Sequence, residues 1–76
     1  MDRQTTNNIS EELVKTLNLV MEFNREVTNN ETTLYVKIYV VYLIKSNLEF
    51  MLQLAEKYHV TIELHSDRGY FTLLYS

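Results

Sequence analysis

The stretch Thr33-Leu34-Tyr35-Val36-Lys37-Ile38-Tyr39-Val40-Val41-Tyr42-Leu43-Ile44 is the longest uninterrupted β-type run in the chain. Most of its residues are β-branched or aromatic, the side chains that fit a pleated, half-buried surface. Alternation places Leu34, Val36, Ile38, Val40, Tyr42 and Ile44 on one face. Tyr35, Lys37, Tyr39, Val41 and Leu43 fall on the other. The first face is pure core. The second is also too apolar to rest against water, so a partner is expected to cover it.

Outward from this run, a capping box at Ser46-Asn47-Leu48-Glu49 opens a helix. Its apolar stripe is Leu48, Met51, Leu52, Leu54, Ala55 and Tyr58, with Phe50 at the margin, and it ends near Tyr58 or His59. A hairpin follows. Val60, Ile62 and Leu64 alternate inward, Ser66-Asp67-Arg68-Gly69 is the turn, and Gly69 supplies a positive φ. A four-residue loop pairs His65 with Tyr70 and Leu64 with Phe71, which puts Phe71, Leu73 and Tyr75 on the core face.

On the N-terminal side, residues 1–8 read as a flexible polar tail, and residues 9–76 as one domain. A helix capped by Asn8 or Ser10 carries Ile9, Leu13, Val14, Leu17, Val20, Met21, Phe23 and Val27 on one broad stripe. Asn24 interrupts that stripe near the helix end, and Leu19 lies off it. The segment from Thr28 to Thr32 is the turn into the long strand.

The expected fold is therefore an α+β two-layer sandwich of order α-β-α-β-β. Two helices cover one face of a three-stranded mixed sheet, and there is no internal repeat. The hairpin strands are neighbours, so the long strand is expected at an edge. An open edge of that length with only Lys37 and Lys45 as gatekeepers invites a second chain. The expectation is a homodimer through residues 33–44, joined by strand edge or by sheet face. The partner-binding residues are then Tyr35, Lys37, Tyr39, Val41, Leu43, Tyr70 and Leu74.

Composition narrows the function classes. Seventy-six residues bury only about 60% of their unfolded surface, so such a chain is marginal without added support. There is no cysteine, which removes disulfides and thiolate metal sites. With one glycine, the Gly-rich phosphate loops and the G-x-S-x-G elbow are absent. No cofactor or metal is implied. The net charge of −3 provides no basic field for nucleic acid. The N-terminus lacks an apolar leader region, and the run at 34–44 is too short to span a bilayer and contains Lys37. A soluble, cytoplasmic protein without a membrane partner is expected.

Three functions are weighed. The first is a non-enzymatic protein-interaction module. The Asn- and Tyr-rich, Cys- and Pro-free composition is of the kind met in phage, viral or mobile-element accessory proteins that bind and inhibit a host protein. The second is a single-strand nucleic-acid binder that stacks bases on Tyr35, Tyr39 and Tyr70 beside Lys37. The third is a small enzyme using Glu63 and His65, which share a strand face, with His59 nearby in sequence.

Overall fold

The computed structural model describes residues 1–17 and 31–76 in full and the backbone of residues 21–28. The chain runs α1 (Arg3–Leu17), β1 (Met21–Thr28), β2 (Glu31–Tyr39), a 3-10 turn (Val40–Tyr42), α2 (Lys45–Lys57), β3 (Ile62–Ser66) and β4 (Tyr70–Tyr75). It is an α+β fold. The sheet has four strands in the order β1-β2-β4-β3, and every neighbouring pair is antiparallel. The expected three-stranded mixed sheet is thus corrected on strand number, on direction and on element order.

The extra strand comes from the segment read as the second half of the first helix. Met21, Phe23 and Val27 fit a helical stripe, but they also alternate with Glu22, Asn24, Glu26 and Thr28 at period two. Asn29-Asn30 separates the paired residues Thr28 and Glu31, and asparagine is favoured in two-residue hairpin loops. The hairpin pairs a whole strand with β2, which an isolated helical extension cannot match. Leu19 and Val20 lie outside the described residues, as does the side chain of Asn24.

β1 has a decisive effect on β2. The long strand is flanked by β1 on one side and β4 on the other, so it is interior rather than an edge. Pairing of two copies along the β2 backbone is therefore closed in this fold.

β2 also ends earlier than its sequence implies. Its buried residues alternate as expected, with Thr32, Leu34, Val36 and Ile38 inward. Beyond Tyr39 the neighbouring strands have run out, since Tyr39 pairs with Tyr70 at the first residue of β4. With no ladder to join, Val40–Tyr42 close into a 3-10 turn, and Leu43 N–H bonds back to the Val40 carbonyl at 3.2 Å. Val40, Tyr42 and Ile44, expected in the core, are exposed.

α1 begins at Arg3, six residues before the expected domain start. Asp2 caps it: its Oδ1 accepts the Thr5 N–H at 2.7 Å. The buried face is Thr6, Ile9, Ser10, Leu13 and Leu17. Two of these are hydroxyl residues, which is why the stripe is faint in the sequence. Both are satisfied within the helix, Thr6 Oγ1 donating to the Asp2 carbonyl and Ser10 Oγ to the Thr6 carbonyl. Met1 pairs with Thr32 through two backbone bonds and so holds the helix start against β2.

α2 has Ile44 as its N-cap and forms no capping box. Asn47 instead reaches back to the Tyr42 carbonyl at 2.8 Å. Met51, Leu54 and Ala55 face the core, while Leu52 is exposed. The helix stops in a Schellman motif. His59 adopts φ 53°, its N–H bonds to the Glu56 carbonyl, and the Val60 N–H bonds to the Ala55 carbonyl.

Leu34, Val36, Ile38, Leu73 and Tyr75 form the inner sheet face, and they share one apolar cluster with Ile9, Leu13, Met51 and Leu54 from the two helices. Both helices therefore lie over the same face. In the β3–β4 hairpin, Leu64 pairs with Leu73 and His65 with Thr72. This register is shifted by two residues from the expected one, which preserves the faces because side chains repeat every two residues. Asp67 N–H bonds to the Tyr70 carbonyl at 2.9 Å, so the loop itself is only Arg68-Gly69.

The topology repeats where the sequence does not. Each helix is followed by a hairpin, and the second strands of the two hairpins pair at the sheet centre. Leu34 occupies the place in the first unit that Leu73 occupies in the second, and Val36 the place of Tyr75. Leu34 pairs with Tyr75 and Val36 with Leu73. An approximate two-fold axis thus pierces the sheet at the Tyr35–Leu74 pair.

Two left-handed positions lead to a paired prediction. Replacing His59 by Gly removes the steric cost of positive φ and is expected to stabilise by about 1 kcal/mol. At Gly69, with φ +78°, an added Cβ meets nothing within 4 Å, so substitution costs only backbone strain. Gly69→Val is expected to destabilise by about 1–3 kcal/mol. Urea denaturation of both variants checks the pair, and shifts of the same sign would contradict it.

Candidate functional site: the helix-free sheet face

The odd-numbered residues of β2 and the even-numbered residues of β4 point away from the helices. Register orders them in rows across the sheet. Tyr39 lies beside Tyr70, Lys37 beside Thr72 and His65, and Tyr35 beside Leu74 and Glu63. On the other side, Glu22 is the backbone partner of Lys37, and Asn24 that of Tyr35. No described element covers this face.

Lys37 is the centre of a small cluster. Its Nζ lies 4.2 Å from the Tyr70 ring centroid and 5.3 Å from that of Tyr39. Each such contact contributes about 0.5–1 kcal/mol at an exposed site and fixes the long lysine stem over the rings. Tyr70 is anchored at its far end, donating its hydroxyl to Asp67 Oδ2 at 2.9 Å. That bond raises the Tyr70 phenol above its ordinary value. Asp67 is held below the usual carboxylate range, first by the Arg68 N–H, then by the Tyr70 hydroxyl, with Lys37 adding a favourable charge. The aromatic platform is therefore preorganised from the hairpin turn inward.

Of the seven expected partner-binding residues, Tyr35, Lys37, Tyr39, Tyr70 and Leu74 come together on this face. Val41 and Leu43 do not. Val41 sits in the 3-10 turn and is 73% exposed, while Leu43 turns back against the core. The same turn leaves Tyr39, Val40, Tyr42 and Ile44 exposed. They make an apolar ridge at the Tyr39 end of the face, held rigid by the Val40 N–H bond to the Gly69 carbonyl at 3.0 Å. The signal for the ridge was in the sequence: a run of apolar residues longer than its partner strands can pair.

Glu63 and His65 do meet, with His65 Nε2 3.1 Å from Glu63 Oε2, but both side chains are exposed at the margin of the sheet. Among the described residues, no group of three or more His, Cys, Asp or Glu side chains stands close enough to hold a metal ion. No helix among them is long and apolar enough to cross a membrane.

A second polar cluster ties the helices together on the opposite side. Glu12 accepts a short hydrogen bond from the Tyr58 hydroxyl and a 2.9 Å bond from Lys57 Nζ. Glu12 was read as a helix-start charge, but it lies well inside α1 and clamps α1 to α2. The Tyr58 bond first, then the Lys57 bond, holds the Glu12 carboxyl below its ordinary value of 4.5. A depressed folded pKa means that this stabilisation is present above that range and is lost as pH falls through the folded value. The advantage of the wild type over Glu12→Gln is therefore expected to be full at neutral pH and to vanish in acid. Thermal melts of both proteins across that range check it, and a gap independent of pH would refute it.

Compared with known protein families, with characterised proteins and with solved structures, the chain matches none.

Proposed function

We propose that this chain is a non-enzymatic protein-interaction module that forms a homodimer through its helix-free sheet face. The observation that carries the reading is the Tyr39–Lys37–Tyr70 cluster, continued by Tyr35 and Leu74, on a face no described element covers. Tyrosines with fixed rings are typical anchors of protein interfaces, because they supply contact area at low entropic cost.

Size is compatible with a second copy as occupant. Four strands at about 4.8 Å spacing and eight residues at about 3.3 Å give a plane of about 500 Å². Two such faces bury about 1,000 Å², at the lower limit of specific interfaces, which suits a micromolar dimer. The face is also self-complementary in charge, with Lys37 inside it and Glu63 and Asp67 at its margin. Homodimerisation would bury surface that so small a core leaves exposed.

Sedimentation equilibrium tests this. The apparent mass is expected to rise from 9.1 kDa toward twice that value across the micromolar range. A value of 9.1 kDa at every accessible concentration overturns the dimer. The Tyr/Lys platform also resembles in kind the stacking surfaces of single-strand binders, while the net charge of −3 opposes phosphate. Fluorescence anisotropy with a labelled single-stranded oligonucleotide at two salt concentrations separates the two readings. Salt-sensitive micromolar binding would favour nucleic acid.

A further inference from the structure

We infer that the second copy docks with its two-fold axis parallel to β2 and β4, so that the aromatic ends of the two faces meet. The inference rests on the face-to-face dimer and adds its arrangement. Two sheets stacked face to face keep their strands roughly aligned. An isologous pair then has two choices, an axis along the strands or an axis across them. The approximate two-fold axis through Tyr35 and Leu74 makes these choices nearly equivalent for the backbone. Shape therefore does not select between them, and the side chains do.

The side chains are distributed unevenly along the strands. Tyr39, Tyr70 and Lys37 lie toward one end, together with the apolar ridge of Val40, Val41, Tyr42 and Ile44. Thr33, Thr61 and Ser76 lie at the other, where the Thr61 and Ser76 backbones pair and their hydroxyls are bonded to each other. With the axis along the strands, Tyr39 of one copy faces the Tyr70 position of the other. Tyr35 faces the Leu74 position, and Lys37 faces the Thr72 position. Apolar groups meet apolar groups, the two lysines do not face each other directly, and both ridges gather at one end of the assembly. With the axis across the strands, Tyr39 faces the Thr33 position and each ridge stands beyond the polar end of the other copy. The first arrangement removes more apolar surface from water and leaves fewer polar groups opposite rings.

The chain has no cysteine, so single-cysteine variants report the geometry directly. Thr72→Cys lies near the middle of the face and is close to its mate under either axis. Thr33→Cys is close to its mate only when the axis runs along the strands; otherwise about six residue steps, roughly 20 Å, separate the two. Gln53→Cys, exposed on α2, reports random collision. Each variant is oxidised mildly at a concentration where sedimentation shows the dimer, and disulfide-linked dimer is read on a non-reducing gel. The expected result is rapid linkage at both Thr72→Cys and Thr33→Cys, at least tenfold faster than at Gln53→Cys. Rapid linkage at Thr72→Cys with Thr33→Cys no faster than Gln53→Cys overturns the axis and leaves the face-to-face dimer standing. A monomeric wild type, with all three variants equally slow, overturns both.

Discussion

Tyr75→Ala removes most of the stability of this fold. Tyr75 is completely buried at the end of β4, opposite Leu34 in the ladder. Its hydroxyl donates to the Met51 carbonyl at 2.7 Å, tying the last strand to the middle of α2. Truncating a buried aromatic side chain costs about 3–5 kcal/mol through lost burial and the cavity left behind. At about 0.05–0.15 kcal/mol per residue, a chain of this size has only about 4–11 kcal/mol in total. The variant is therefore expected to be largely unfolded at 37 °C, or to melt far below the wild type. Tyr75→Phe separates packing from hydrogen bonding. The ring stays, one hydrogen bond is lost, and Met51 lies inside α2, where its carbonyl keeps a helical partner. A loss of about 1 kcal/mol is expected. Urea denaturation followed by circular dichroism measures both, and a Tyr75→Ala protein that melts within a few degrees of wild type would mean that β4 does not close the core.

That core was largely legible in the sequence. The inward set Leu34, Val36 and Ile38 follows from strict alternation, and Phe71, Leu73 and Tyr75 from the hairpin pattern, because a face survives any register error of two residues. The start of α1 was not legible. Its buried face includes Thr6 and Ser10, whose hydroxyls bond to the preceding turn and so are tolerated inside, but hydropathy alone counts them as surface. Residues 21–28 were misread for a different reason. Their apolar positions satisfy both periods, and only pairing with β2 decides between them, which is a tertiary effect.

The candidate site inherits this history. Tyr35, Lys37 and Tyr39 were placed on one face by parity alone, and Tyr70 and Leu74 joined them because the two-residue register shift left their faces unchanged. Val41 and Leu43 were assigned by extending that parity past the point where the strand has neighbours. A strand continues only while a ladder holds it, and β4 begins opposite Tyr39. The interior position of β2 follows from the same unrecognised strand. With β1 in place the sheet edges are β1 and β3, and the surface left for a partner is a face.

Tyr39→Glu tests that face. Tyr39 is 40% exposed, and in a single chain a carboxylate there sits beside Lys37 without being buried. The stability of the monomer is then expected to change by no more than about 0.5 kcal/mol, as for other surface substitutions. In the dimer each copy loses a tyrosine anchor and places a charge where a ring had been. Loss of an anchor costs about 2 kcal/mol, and two-fold symmetry applies the loss twice, so dissociation is expected to strengthen about a thousandfold. A micromolar dimer becomes a monomer at every concentration usable in solution. Val14→Glu is the matched control, since Val14 is 41% exposed but lies on α1, in the helix layer. Equal exposure and equal charge on the wrong side of the molecule should leave association unchanged. Sedimentation equilibrium of the two variants therefore separates a general effect of added negative charge from a contact at Tyr39. If both stay dimeric, the aromatic platform is surface in contact with water alone. If both become monomeric, the chain associates through charge balance rather than through the sheet face.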